Sequence, residues 1–218
     1  MCFHYATKFL VIFAMDKIPD FYPDSDDTYL LIDSIEKDLI GALDGRKRGI
    51  VSVEVGSGGG LVSRAFLELC NRHGVSVYHL GVDVNISAAT ETLAQCERSG
   101  VIDIVNGDMF TFTRPGFQAE VIFCNPPYVP SSPINRAWDI RASYAGGEGG
   151  REFIDDILPV VAAKLTRDGV FYLLLEKRND IDEVLERTRT EFGFSSALLM
   201  DRKIRGEHLF VYRLTRCS

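Results

Sequence analysis

Two spacings of apolar residues alternate along the chain. Leu31, Ile32, Ile35, Leu39 and Ile40 recur at helical spacing, which predicts a helix from Ser25 to Leu43, capped by Ser25 or Asp26 with acids in its first turn. Ile50 to Val55 then forms a short, mostly apolar run that reads as a buried strand, followed by a glycine turn and a helix from about Leu61 to Asn71. The same change of period predicts strands over 76–82, 101–105, 120–124 and 169–175, with helices over 86–98, 151–165 (kinked at Pro159) and 181–190. Two further strands, 195–199 and 208–214, have no long helix between them and should pair as an antiparallel hairpin. The β-α-β-α-β order with right-handed crossovers predicts an α/β fold, a doubly wound and mostly parallel sheet of seven strands with that hairpin at one edge.

Chemistry-bearing residues fall at the carboxyl ends of successive strands, where open α/β sheets bind ligands. The strongest group closes the strand 120–124: Asn125-Pro126-Pro127-Tyr128. Proline lacks the amide hydrogen that a central ladder needs, so the chain must turn outward there. Two prolines leave carbonyls without neighbouring donors, and Asn125 adds a side-chain carbonyl. The result is an acceptor pair suited to a planar NH2 group, with Tyr128 able to lie flat on it. Such a nitrogen is a poor nucleophile because its lone pair is delocalised. Gripping both hydrogens returns density to it and aims it, which is catalysis by positioning and electrostatics. The run Glu54-Val55-Gly56-Ser57-Gly58-Gly59-Gly60 lies between strand and helix, where glycines let a ligand approach the backbone and a helix N-terminus. Asp83 closes the next strand at the spacing, roughly 20 residues on, expected of a carboxylate that holds a ribose diol. Asp108 and Met109 follow the strand 101–105.

Composition narrows the class. At 218 residues, 46% apolar and 25% charged, the chain has the make-up of one soluble domain, with residues 1–15 as an uncertain N-terminal extension. A net charge of −7 argues against a chain that grips nucleic acid unaided. The five cysteines include no CxxC pair, so no metal site or disulfide framework is expected, and free thiols fit a reducing compartment, cytoplasmic or nuclear. The apolar stretch Phe9 to Met15 is too short to span a membrane and reads as a packed extension, or as lying upstream of a natural start at Met15.

The succession of Glu54 with its glycines, Asp83, Asp108 and the Asn-Pro-Pro-Tyr turn resembles class I S-adenosylmethionine-dependent methyltransferases that modify a planar nitrogen. Tyr22-Pro23, Asp26-Asp27-Thr28-Tyr29-Leu30-Leu31, Ala145-Gly146-Gly147, Gly150-Arg151-Glu152 and Gly206-Glu207-His208-Leu209-Phe210-Val211 resemble segments of release-factor glutamine N5-methyltransferases. The lack of a separate N-terminal substrate domain is similar to the eukaryotic and archaeal HemK-like form. The resemblance spans about residues 20–215, with one departure, Pro23-Asp24-Ser25-Asp26 in place of Glu-Pro-Ala-Glu.

The resemblance implies that Thr28, Glu54, Gly56 and Gly58 lie against the methionine part of S-adenosylmethionine, Asp83 on its ribose, and Asp108 and Met109 at its adenine. Asn125 would face both cofactor and substrate, with Pro126, Pro127 and Tyr128 around the target amide. It implies S-adenosylhomocysteine as product and a class 1 translation termination factor as substrate. It further implies a small zinc-binding activator subunit docked at the edge strand near Val101 to Val105. The same residues admit other readings: an adenine-N6 or guanine-N2 nucleic-acid methyltransferase, a nicotinamide dehydrogenase, or an inactive scaffold. At single positions, Thr28 can be a first-turn helix residue, Asp108 a turn cap, Met109 core, and Arg151 a helix-end residue or a substrate contact.

Overall fold

The computed structural model describes residues 10–11, 23–43, 49–97, 101–132 and 144–217. Tyr22, the basic Arg46-Lys47-Arg48, Trp138 and the rest of the N-terminal run lie outside the described residues. The strands are β1 (Leu10–Val11), β2 (Ile50–Val55), β3 (Val77–Asp83), β4 (Val101–Asn106), β5 (Ala119–Cys124), β6 (Leu165–Glu176), β7 (Phe194–Ile204) and β8 (Glu207–Arg216). The helices are α1 (Asp26–Ala42), α2 (Leu61–Arg72), α3 (Ile86–Cys96), α4 (Glu152–Lys164) and α5 (Ile181–Phe192).

The strands form one sheet in the order β1-β4-β3-β2-β5-β6-β8-β7. It is parallel from β1 to β6, and β8 and β7 close it as an antiparallel hairpin. The seven expected strands are all present. An eighth, β1, pairs Leu10 with Ile104 and Val11 with Val105 on the outer side of β4. The expected bare edge at Val101 to Val105 is therefore capped at its carboxyl end by the chain's own N-terminal segment, because an unpaired row of backbone groups recruits any strand within reach. Val101, at the other end, remains 47% exposed.

Alternation along the central strands builds two cores. Val170, Tyr172 and Leu174 of β6 face Leu31, Ile35 and Leu39 of α1 and Phe66 and Cys70 of α2. Phe171, Leu173 and Leu175 face Ile154, Ile157 and Val161 of α4 and Val184 of α5. A strand buried on both faces must be apolar at every position, as Val121 to Cys124 are. Helix α4 runs through Pro159, giving up only the bond that the missing amide would have made to Asp155.

Sequence order reverses between β2 and β5, which lie side by side with Glu54 opposite Phe123 and Val55 opposite Cys124. The glycine turn and the Asn-Pro-Pro-Tyr turn therefore leave adjacent strands at the topological switch point, where open sheets leave a crevice.

Candidate active site

The Asn125-Pro126-Pro127-Tyr128 turn is held from its far side. Asn179, fully buried in a single helical turn after β6, donates its amide NH2 to the carbonyl of Tyr128 at 2.8 Å and to those of Gly149 and Gly150 at 3.2 and 3.1 Å. Its side-chain oxygen accepts from the Glu176 amide at 2.7 Å. A methyl group added at Gly150 would lie 2.0 Å from the Tyr128 carbonyl oxygen, and that residue has φ +72°. Only glycine allows both. Backbone bonds between Val129 and the segment 144–146 complete the clamp: the Val129 amide donates to Tyr144 and the Gly146 amide to Val129.

What this clamp presents is a cavity of about 180 Å³ lined by Asp27, Asn125, Pro126, Tyr128, Val129, Tyr144 and Glu207. Asn125 Oδ1 is buried there without a hydrogen-bond partner among the described residues. A buried amide oxygen left unpaired costs about 1–3 kcal/mol, so the site awaits a donor. Tyr128 is buried, and its hydroxyl reaches Asp27 Oδ2 and Glu207 Oε2 at 3.2 Å each. One phenolic hydrogen is thus shared between carboxylates from α1 and β8, which fixes the ring. Arg178 approaches Glu207 at 3.5 Å and Glu176 at 2.7 Å, partly offsetting the negative charge.

Pro127 is not among the cavity-lining residues. Its carbonyl faces Gly146, where an added methyl would lie 2.6 Å away, so it serves the clamp.

Beside this cavity the glycine turn is open. A methyl at Gly56 would meet only the Asn125 carbonyl at 3.9 Å, and one at Gly58 would meet nothing within 4 Å. Gly58 donates its amide to Asp83 Oδ2 at 2.9 Å, and Asn85 donates to Asp83 Oδ1 at 2.8 Å. Burial raises the Asp83 pKa against the lowering by these two bonds. Each oxygen keeps a second lone pair for a ligand hydroxyl. Glu54 lies beneath the turn, buried and taking the Ser63 hydroxyl in a short bond. Burial pushes its pKa up to about 8, the Ser63 bond lowers it, and Asp83 raises it.

The other expected positions divide. Asp108 is exposed just beyond β4, and its carbonyl accepts from Thr111 at the start of a turn. Met109 adopts φ +43° and packs against the α4 face of the sheet. Thr28 is buried in the α1 cap: its hydroxyl accepts from the Ser25 amide at 3.3 Å, and its amide donates to Asp27 at 2.6 Å. Arg151 is committed to Glu183 and Asp155 at 2.5 and 3.2 Å, joining α4 to α5 rather than reaching for a substrate. His208 pairs with Asp201 at 2.6 Å, and Cys124 is buried with its thiol pKa raised by burial.

Sequence reading gave Asn179 no role, and it named Asp27 and Glu207 only as members of resembling segments, not as site residues. Asn179 lies in a polar run, Glu176 to Asp180, that looks like a solvated loop, and Asp27 looks like a first-turn acid. Their roles depend on contacts with Tyr128 that lie 51, 101 and 79 residues away in sequence, which no local pattern carries.

Among the described residues no group of three or more His, Cys, Asp or Glu side chains converges as a metal site, and no helix is long and apolar enough to cross a membrane.

Comparison with known proteins finds similarity over the whole chain. No protein-family model matches the chain. It is 32% identical over 221 aligned positions to human methyltransferase HEMK2, covering 98% of each chain. It is 27% identical over 214 positions to the eRF1 methyltransferase catalytic subunit mtq2 of Schizosaccharomyces pombe, covering 93% of this chain and 92% of that one. The solved Mtq2–Trm112 complex from E. cuniculi, described as methylating the eRF1 translation termination factor, superposes with a TM-score of 0.68 at 26% identity. That match covers 91% of this chain and 100% of its counterpart.

Proposed function

Because the chain belongs to the HEMK2 methyltransferase family, we propose that it moves a methyl group from S-adenosylmethionine to the side-chain amide N5 of a glutamine, that of the Gly-Gly-Gln loop of a class 1 translation termination factor. The observation that carries this reading is the unpaired, buried Asn125 Oδ1 in a cavity shared with Pro126 and Tyr128. A glutamine amide has the two in-plane hydrogens that such an acceptor pair requires.

The residues present fit the cofactor. Gly56 and Gly58 leave room against the backbone, Asp83 offers free lone pairs to a diol, and Glu54 sets a carboxylate beneath the turn. In the proposed arrangement Thr28 and Glu54 serve the methionine end and Asp83 the ribose. Asp108 and Met109 serve the adenine, with Asn125 at the junction with the substrate cavity. When bound, S-adenosylmethionine supplies an electrophilic methyl group on a sulfonium. The chain's own residues do the rest. Asn125 Oδ1 and the Pro126 carbonyl draw on the two amide hydrogens, which raises electron density on nitrogen and orients it; as the carbon–nitrogen bond forms and the carbon–sulfur bond breaks, the nitrogen becomes acidic and one of those hydrogens leaves as a proton to solvent. The Tyr128 ring, held by Asp27 and Glu207, keeps the amide plane in place. Burial of the turn excludes water from the reacting centre.

A nucleic-acid amine would fit the same acceptors, but Asp27 and Glu207 at the cavity would repel a phosphate backbone. The E. cuniculi complex supports a heterodimer in which this chain is the catalytic subunit. We assign the small activator as zinc-binding and place its docking on the outer side of β4 around exposed Val101. We assign the pair to the cytoplasm, where termination occurs.

The test is methyl transfer by the co-expressed heterodimer to a recombinant termination factor, read by mass spectrometry. The expected result is one added methyl on the Gly-Gly-Gln glutamine and none on a Gln→Ala factor or on DNA or RNA. Methylation of nucleic acid alone would overturn the assignment.

A further inference from the structure

One buried chain of polar groups runs through residues given no role so far and ends on Glu54. Ser52 of β2 and His79 of β3 are register partners, and both are fully buried. His79 Nδ1 lies 2.8 Å from Ser52 Oγ, and Nε2 lies 2.8 Å from Ser63 Oγ in the first turn of α2. Ser63 then donates to Glu54 Oε2. The imidazole stacks on Phe123 at 5.6 Å and leans on Phe66 at 5.4 Å. Burial drives its pKa down to about 3, so the ring is neutral and carries one proton.

Counting hydrogens orders the chain. The one hydroxyl hydrogen of Ser63 is committed to Glu54. Its oxygen can then only accept from His79, which places the ring proton on Nε2. Nδ1 becomes an acceptor and takes the hydrogen of Ser52. Every donor finds one acceptor, and all three dipoles turn their positive ends toward the Glu54 carboxylate. In the reverse order, with Glu54 protonated and donating, the Ser52 hydrogen would be left without an acceptor in this chain, in a site closed to water.

We infer that His79 is a positioning residue for Glu54: acting through Ser63, its Nε2–H tautomer polarises the Ser63 hydroxyl and orients the Glu54 carboxylate beneath the glycine turn whenever that group is ionised, as it must be to face the cationic end of the cofactor. This rests on the assignment of Glu54 to the methionine end. The titratable groups facing Glu54 are Asp83 of β3, Asp24 ahead of α1 and Cys124 of β5. None is a cation, and the Arg64 guanidinium is turned to Gln95 at 3.2 Å and Glu68 at 3.9 Å. What lowers the Glu54 pKa is Ser63, through its hydroxyl and its backbone amide, and that hydroxyl is the group His79 Nε2 touches.

The test uses the full-length protein without cofactor, labelled in histidine and glutamate, followed by NMR across pH. In the wild type, His79 nitrogen shifts should report Nε2–H above the Glu54 carboxyl midpoint, which lies near 8. In His79→Phe, which keeps an aromatic ring but has no donor, the midpoint should rise by about one pH unit, the equivalent of a single hydrogen bond. In His79→Gln, whose amide can replace the Nε2–H donor, it should return toward the wild-type value. An Nδ1–H tautomer in the wild type, a reading that needs no variant to fold, would overturn the proposal, as would an unmoved midpoint in His79→Phe. Calorimetry of S-adenosylmethionine binding across the same pH range separates the two claims. A Glu54 midpoint that shifts while affinity ignores it upholds the His79 role and removes Glu54 from the cofactor site.

Discussion

Asn125 and Glu54 carry opposite consequences of burial. Asn125 keeps a polar atom dry and unpaired, which costs stability but leaves it available to a substrate. Glu54 is satisfied by Ser63, yet burial still lifts its pKa to about 8. Between the ordinary value of 4.5 and that raised value, the folded chain holds a proton that the unfolded chain has lost. Stability from this group is therefore present at low pH and declines as pH rises through that window. Glu54→Gln should flatten the decline and raise the melting temperature above pH 8, while weakening cofactor binding; thermal denaturation across pH checks the first and calorimetry the second. Tyr128→Phe leaves Asp27 and Glu207 facing each other without the shared hydroxyl. It should cost about 1–2 kcal/mol in chemical denaturation, with a smaller loss of turnover than removal of the Asn125 amide. Residues at strand ends were legible in sequence because glycine and proline break the pattern there. Asp27, Glu207, Ser63 and His79 were not, because each looks ordinary in its own helix or strand.

At the scale of elements, catalytic geometry depends on parts that touch no substrate. The buried turn bearing Asn179 bridges the Tyr128 carbonyl, the glycine segment and the end of β6 with four hydrogen bonds. Asn179→Ala should cost about 2–4 kcal/mol by unpairing these groups, and should lower turnover by displacing Asn125. Denaturant melts and steady-state kinetics would show both. Gly150→Ala should be harsher, since strain at positive φ adds to a backbone collision at 2.0 Å. Element identity was readable from periodicity, but ends were not. β6 begins at Leu165 and β7 runs to Ile204, four or five residues beyond what the pattern predicts, because Thr166-Arg167-Asp168 and Asp201-Arg202-Lys203 look like loops. β7 is the sheet's edge, where charged residues are a normal defence against unwanted pairing and hide a strand from sequence reading; in interior β6 the charged 166–168 segment falls where the register with β5 is irregular, between the Leu165 and Val170 pairings.

For the molecule as a whole, the sheet order brings β2 and β5 together and thereby sets the glycine turn beside the Asn-Pro-Pro-Tyr turn. The alternation of strands and helices made that adjacency legible. The pairing of β1 with β4 was not, because Phe9 to Met15 has the same apolar character whether it packs, pairs or projects. The docking proposed around Val101 predicts that Val101→Asp lowers recovery of the activator in co-purification without changing the melting temperature of the isolated chain by more than a surface substitution does. The central claim, that Asn125 grips an amide beside an activated methyl, is tested most directly by single-turnover transfer to the termination factor with the Asn125→Ala heterodimer, alongside calorimetry of S-adenosylmethionine. Transfer should fall about 10²–10³-fold, as it does when a site loses one aligned polar group, while cofactor affinity holds. Near wild-type transfer by Asn125→Ala would contradict the claim.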